Sequence, residues 1–123
     1  MSSYRDLEIF KLSYELAIRV HKLSMTLPKY EQFEEGSQVR RSSKGITSTI
    51  VEGYGRKRYK ADFIRFLTYS HASFDETIVH LNFIKDTHED TVDIPSIKNL
   101  LDSYETLGKK INKFIGYVDR EWK

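Results

Sequence analysis

The stretch IPSIKNLLDSYETLGKKINKFIGYV, Ile94 to Val118, decides the fold. Its apolar residues Ile97, Leu100, Tyr104, Leu107, Ile111, Phe114 and Val118 alternate steps of three and four without exception. That spacing lays one apolar seam along an α-helix, and it is the spacing of left-handed bundle packing. Pro95 falls in the first turn, where a missing N–H costs little, so the helix begins at Asp93 or Ile94.

Moving toward the N-terminus, His88 to Asp93 reads as an acidic turn, and before it a long helix runs from about Ala61 to Thr87. Its main stripe is Phe63, Leu67, Phe74, Ile78, Leu81 and Ile84. Phe66, Tyr69, Ser73, His80 and Phe83 lie on an adjacent face. At the other end of the chain, a helix from about Asp6 to Leu27 carries two stripes. Leu7, Phe10, Tyr14, Ala17, Ile18, His21 and Met25 form the first; Ile9, Leu12, Leu16, Val20, Leu23 and Leu27 form the second. Together they make an apolar arc wider than a surface helix needs, so part of it faces a second partner. Pro28 closes this helix, and Pro28 to Gly36 reads as a connection.

The remaining segment is ambiguous. Val39, Ser43, Ile46, Ile50 and Gly53 repeat at helical spacing. Yet Gly45 to Val51 is β-branched and contains glycine, so propensity alone leaves a strand open. As a helix, its inner face is built of small residues that permit close packing. Four helices with short connections make an all-α, up-down four-helix bundle forming a single domain over residues 1–123.

Composition narrows the chemistry. The 123 residues contain no cysteine, which removes disulfides, Cys-based zinc sites, iron–sulfur clusters and thiol nucleophiles. That fits a reducing compartment, and a cytoplasmic location is expected. The N-terminus is polar, and no apolar run approaches the ~20 residues of a membrane span. Lys and Arg number 20 against 18 Asp and Glu, a net charge of +2. The balance is uneven. Between Arg40 and Arg65 eight cations face only Glu52 and Asp62, a local charge of +6, so the remainder sums to −4. Such a dipolar molecule docks an anion on one side, or its own copy head to tail.

The eight cations are Arg40, Arg41, Lys44, Arg56, Lys57, Arg58, Lys60 and Arg65. On one surface they would neutralise phosphates and release counterions. Tyr54 and Tyr59 flank the cluster, where they would stack on exposed bases. Cations at a helix start oppose the helix dipole, so Arg56, Lys57 and Lys60 are not there for helix stability. The competing reading is that the cluster docks an acidic protein partner or the next subunit. At least one of Arg40 and Arg65 is expected to reach a buried acid, with Glu52 and Glu76 the candidates, because buried charges survive only when paired. Gly53-Tyr54-Gly55 lacks the third glycine and the GKS or GKT of a phosphate loop, and reads as a helix-ending turn with positive φ. His71 and Asp75, and Glu76 and His80, are i,i+4 pairs, but the chain has no Glu-x-x-His, so no metal centre is expected. No nucleophile spacing is present, so neither a catalytic site nor a cofactor is expected.

The block EGYGRKRYKADFIRFL, Glu52 to Leu67, together with Ser37-Gln38-Val39-Arg40-Arg41-Ser42, Tyr4-Arg5-Asp6-Leu7 and Leu27-Pro28, resembles the four helix bundle protein family, also called the 23S rRNA intervening-sequence proteins. Ser73 and Glu76 match a Ser and a Glu of that family. The resemblance covers nearly the whole chain. It implies four helices, with the region around Ile46 helical, and a ring-shaped homo-oligomer, a pentamer. Members are often encoded within insertions in ribosomal RNA genes in bacteria. Related accessory proteins of diversity-generating retroelements form basic pentameric barrels that contact nucleic acid, RNA or DNA, and a reverse transcriptase. The resemblance implies no catalytic activity. Two departures stand out. Many relatives carry a proline near Thr47. Ile78 lies where they carry a second acid, so a polar interaction made there by relatives is missing or replaced here. Subunit contacts are expected on the second stripe of the first helix or on the Phe66/Tyr69 face, with Tyr54 beside it.

Overall fold

The computed structural model describes residues 3–123. A short 3-10 turn, Tyr4–Asp6, leads into α1 (Glu8–Ser24). Then follow α2 (Lys29–Phe33), α3 (Glu35–Gly55), α4 (Lys60–Thr87) and α5 (Ile94–Glu121). The described residues contain no strand. The four long helices alternate in direction. Helix α3 packs on α4 and α1, and α5 packs on α4 and more thinly on α1, so α1 and α4 occupy diagonal corners.

Helix α5 behaves as its spacing predicts. Ile97, Leu100, Tyr104, Leu107, Ile111 and Val118 are buried, and Phe114 is partly buried against them. Pro95 sits in the first turn. From α4, Phe63, Leu67, Phe74, Leu81 and Ile84 enter the same core. Gly108 is required by close approach: a Cβ there would come within 2.4 Å of the Phe74 ring edge.

The β-branched segment of α3 is helical because its polar side chains find partners without a sheet. Thr49 Oγ1 donates to its own Gly45 carbonyl at 2.7 Å and lies 2.5 Å from Ser70 Oγ of α4. Thr77 of α4 donates to Ser42 Oγ at 2.9 Å. Ile46 and Ile50 are fully buried on the same face. Tertiary packing thus overrides a weak local preference. With Thr47 where a proline would break the helix, α3 runs unbroken, and Thr47 donates to Ser13 Oγ of α1 at 2.9 Å.

Two expectations are corrected here. Gly53-Tyr54-Gly55 is not a positive-φ turn. No described glycine has positive φ, and the helix closes at Arg56 with φ −109°. Gly53 is needed for packing instead, since a Cβ would come within 3.1 Å of Phe66 Cβ. The second stripe of α1, one of the two faces expected to meet a neighbour, turns inward instead, together with Leu7 and Ala17 of the first. The second, with Ile9, Leu16, Val20 and Leu27 buried, faces the core, while Tyr14, Ile18 and Met25 of the first are exposed. The Leu- and Val-rich stripe faces inward because its burial strands no polar group, whereas Tyr14 and His21 would carry a hydroxyl and an imidazole into the core.

The connection from Pro28 contains the unanticipated α2. None of its residues is buried, so polar bonds hold it. Gln32 Nε2 donates to the Leu27 carbonyl at 2.9 Å, and Glu31 meets His88 Nε2 at 2.6 Å.

Candidate nucleic-acid interface

Helix α3 ends at Gly55 and α4 begins at Lys60, so Arg56, Lys57, Arg58 and Tyr59 form the turn between them. This boundary changes the electrostatics inferred from the sequence. Arg56 and Lys57 lie beyond the C-terminus of α3, where the helix dipole favours cations; only Lys60 sits at an unfavourable helix start. Arg56 uses that placement directly, since its guanidinium donates to the Glu52 carbonyl at 2.9 Å.

Aromatic rings fasten the turn. Arg56 lies over the Phe66 ring at 4.5 Å and Lys57 over the Tyr54 ring at 4.0 Å. Tyr54 meets Phe63 edge to face, and Phe63 meets Phe114 and Trp122 in the same way. Trp122 closes the arrangement, because its indole N–H donates to the Lys57 carbonyl at 2.8 Å. The residue is invisible to motif reading: a lone tryptophan next to the last residue carries no spacing signal. Among the described residues, no carboxylate forms an ion pair with Arg56, Lys57, Arg58 or Lys60. Tyr59, 62% exposed, stands beside them. Arg65 pairs with Asp62 at 3.1 Å and also reaches over Phe66.

The structure divides the eight cations between the two ends of α3. Arg40 and Arg56 are separated by about 24 Å of helix. Arg40 reaches neither Glu52 nor Glu76. Its guanidinium donates to Ser24 Oγ at 2.8 Å and to the Gln32 carbonyl at 2.7 Å, which ties the α2 connection to α1 and α3. Neutral oxygens suffice because the group is only half-buried. Arg65 pairs with an acid, but Asp62 is only half-buried. Arg41 and Lys44 are both exposed, and Lys44 Nζ lies 3.1 Å from His21 Nδ1. Since a lysine only donates, that nitrogen accepts. Burial first, and then the charges of Lys44 and Arg40, hold the His21 pKa below its ordinary value.

The aromatic residues also separate. Tyr54 is buried, 6% exposed, so its ring belongs to the core rather than to a base-stacking or subunit surface. Phe66 lies beneath two guanidiniums. Tyr69 is exposed and packs edge to face on Phe66. Farther along α4, Val79 and Phe83 are also exposed. Between α1 and α3 an apolar groove of about 500 Å³ is lined by Tyr14, Ala17 and Ile18 and rimmed by His21, Lys22 and Lys44.

The i,i+4 pairs of α4 do not build a metal centre. His71 lies 3.7 Å from Asp75, while His80 turns to Glu35 of α3 at 2.7 Å rather than to Glu76. Among the described residues no group of three or more His, Asp and Glu side chains is placed to hold a metal. No described helix is long and apolar enough to cross a membrane.

The fold has a solved counterpart. A Bacteroides thetaiotaomicron protein of unknown function, from the S23 ribosomal protein family, superposes with a TM-score of 0.77 at 22% identity. The alignment covers 87% of this chain and 97% of that one. No curated protein matches. The model of the 23S rRNA-intervening sequence proteins matches residues 5–113, from the first turn to the last third of α5, and the chain belongs to that family.

Proposed function

We propose that this chain is a non-enzymatic adaptor that associates with copies of itself, as a pentameric ring, and binds structured RNA through the Arg56–Lys60 turn. One observation carries the reading: four cations at one end of the bundle have no carboxylate partner among the described residues, while rings beneath support two of them. A cation freed from internal pairing neutralises phosphate without first breaking an ion pair. Tyr59 offers an exposed ring for an unstacked base. The family description, which sets these proteins beside ribosomal RNA, makes a structured RNA the suitable probe. Repetition of the turn around an oligomer multiplies a weak contact through avidity. The exposed apolar faces on α1 and α4 supply surface for that assembly.

The test is binding of a labelled structured RNA across a salt series, with R56A/K57A/R58A in parallel. Wild type binds, and affinity falls as salt rises. The triple variant binds more weakly, and its log–log slope is shallower by about 2 to 3, close to one unit for each phosphate no longer neutralised. Absence of binding at low salt by a folded protein overturns the reading. The turn then serves the competing role of docking an acidic protein partner.

A further inference from the structure

Two unlike faces of the bundle complement one another. The first is the groove between α1 and α3. Tyr14 and Ile18, at 55% and 43% exposure, stand along it, and its polar rim of His21, Lys22 and Lys44 contains no acid. The second is the outer seam of α4. Tyr69, Ala72, Glu76, Val79 and Phe83 follow one another at steps of three and four, the spacing of a packed interhelical seam, yet they point away from the core. Tyr69, Val79 and Phe83 are 47%, 51% and 52% exposed.

Charge distinguishes these faces as sharply as shape does. Glu76 sits at the centre of the seam, is exposed, and forms no ion pair among the described residues. Lys44 stands at the rim of the groove beside the imidazole of His21, and it too forms no ion pair among the described residues. An unneutralised charge thus stands amid apolar side chains on each face, and the two are opposite in sign.

We propose that the α1/α3 groove of one copy receives the outer seam of α4 of the next, head to tail, with Lys44 set against Glu76. This rests on the self-association proposed above and adds which surfaces meet. Because α1 and α4 lie on diagonal corners, every copy offers one groove and one seam, so the contact is heterologous. An unpaired charge at the centre of an apolar seam also selects register, as a single polar residue does in a coiled coil.

Reversing charges tests this, with oligomeric mass read by light scattering and sedimentation over a dilution series. Neither side chain belongs to the core, and far-UV circular dichroism checks that the helices persist. In K44E each contact sets Glu against Glu76. In E76K each contact sets Lys against Lys44. Each single variant is expected to weaken assembly about tenfold or more. The double variant K44E/E76K restores the opposite pairing at every contact and returns assembly to within about threefold of wild type. Single variants that assemble like wild type, or a folded double variant that stays dissociated, overturn the assignment of faces while self-association stands. Loss of assembly in E76K alone, with K44E unaffected, also overturns it, because the seam then meets something other than the groove. A wild type that remains monomeric at every concentration removes self-association itself and this contact with it.

Discussion

The two ends of the bundle are fastened by opposite means. At the α3–α4 turn, rings hold the chain and the charges have no acid partner among the described residues. Phe63, Tyr54, Phe114 and Trp122 interlock beneath Arg56 to Lys60. At the far end, ionisable groups hold the chain and rings are left out. Glu31 meets His88, Glu35 meets His80, and Arg40 spans Ser24 and Gln32, while Tyr30 and Phe33 are 66% and 72% exposed. Charge follows the same division. The segments 29–36 and 85–93 at the far end hold seven acids against Lys29 and Lys85. An end locked by rings leaves its four cations without acid partners among the described residues. An end locked by polar and ionisable side chains uses those groups on one another.

The sharpest way to break this comparison is at its aromatic centre. Phe63 is fully buried and touches three other rings. Phe63→Ala is expected to cost about 3–5 kcal/mol by chemical denaturation. A loss under about 1 kcal/mol would show that the rings do not hold that end.

A middling effect is expected at the far end. The hydrogen bond from His88, and then the Glu35 amide, hold the Glu31 carboxyl below its ordinary range, against the opposing effect of burial. Its contribution is therefore present above the unfolded value of 4.5 and is lost as pH falls through the lower folded value. Glu31→Gln is expected to cost about 1–2 kcal/mol near neutral pH. It also flattens the fall in stability between about pH 5 and 3. Denaturation midpoints across that window measure both. An unchanged acid limb would remove Glu31 from the account.

The smallest change sharpens the comparison instead of breaking it. Trp122→Phe keeps a ring against Phe63 but removes the donor to Lys57. The expected loss is about 0.5–1.5 kcal/mol in overall stability. Amide exchange should rise mainly at Arg56 to Tyr59. Exchange spreading evenly through the core would mean that Trp122 serves the bundle rather than the turn.

Much of this architecture is legible in the amino-acid order alone. The three–four spacing of α5, the main stripe of α4 and the exit of α1 near Pro28 are local patterns, and local patterns survive folding because a helix always presents the same residues on one side. The basic cluster is legible as composition. Its division is not, because the sequence places Arg40 and Arg56 in one block while a helix of intervening residues carries them to opposite ends. The β-branched run from Gly45 to Val51 is ambiguous for a different reason: its hydroxyls need Ser70 and their own helix carbonyls within reach before a helix becomes the better state.

Periodicity and proline placement act within a few residues. They are enough to establish the helices α1, α4 and α5, and that α5 and α4 share a core. The packed bundle alone settles which stripe of α1 turns outward, that Gly53 serves a close approach and not a turn, that Arg40 meets neutral oxygens, and that Trp122 anchors the basic turn. Each of those outcomes depends on which groups from distant parts of the chain arrive at one place, and that is set by the sum of burial over the whole bundle rather than by the preference of any residue.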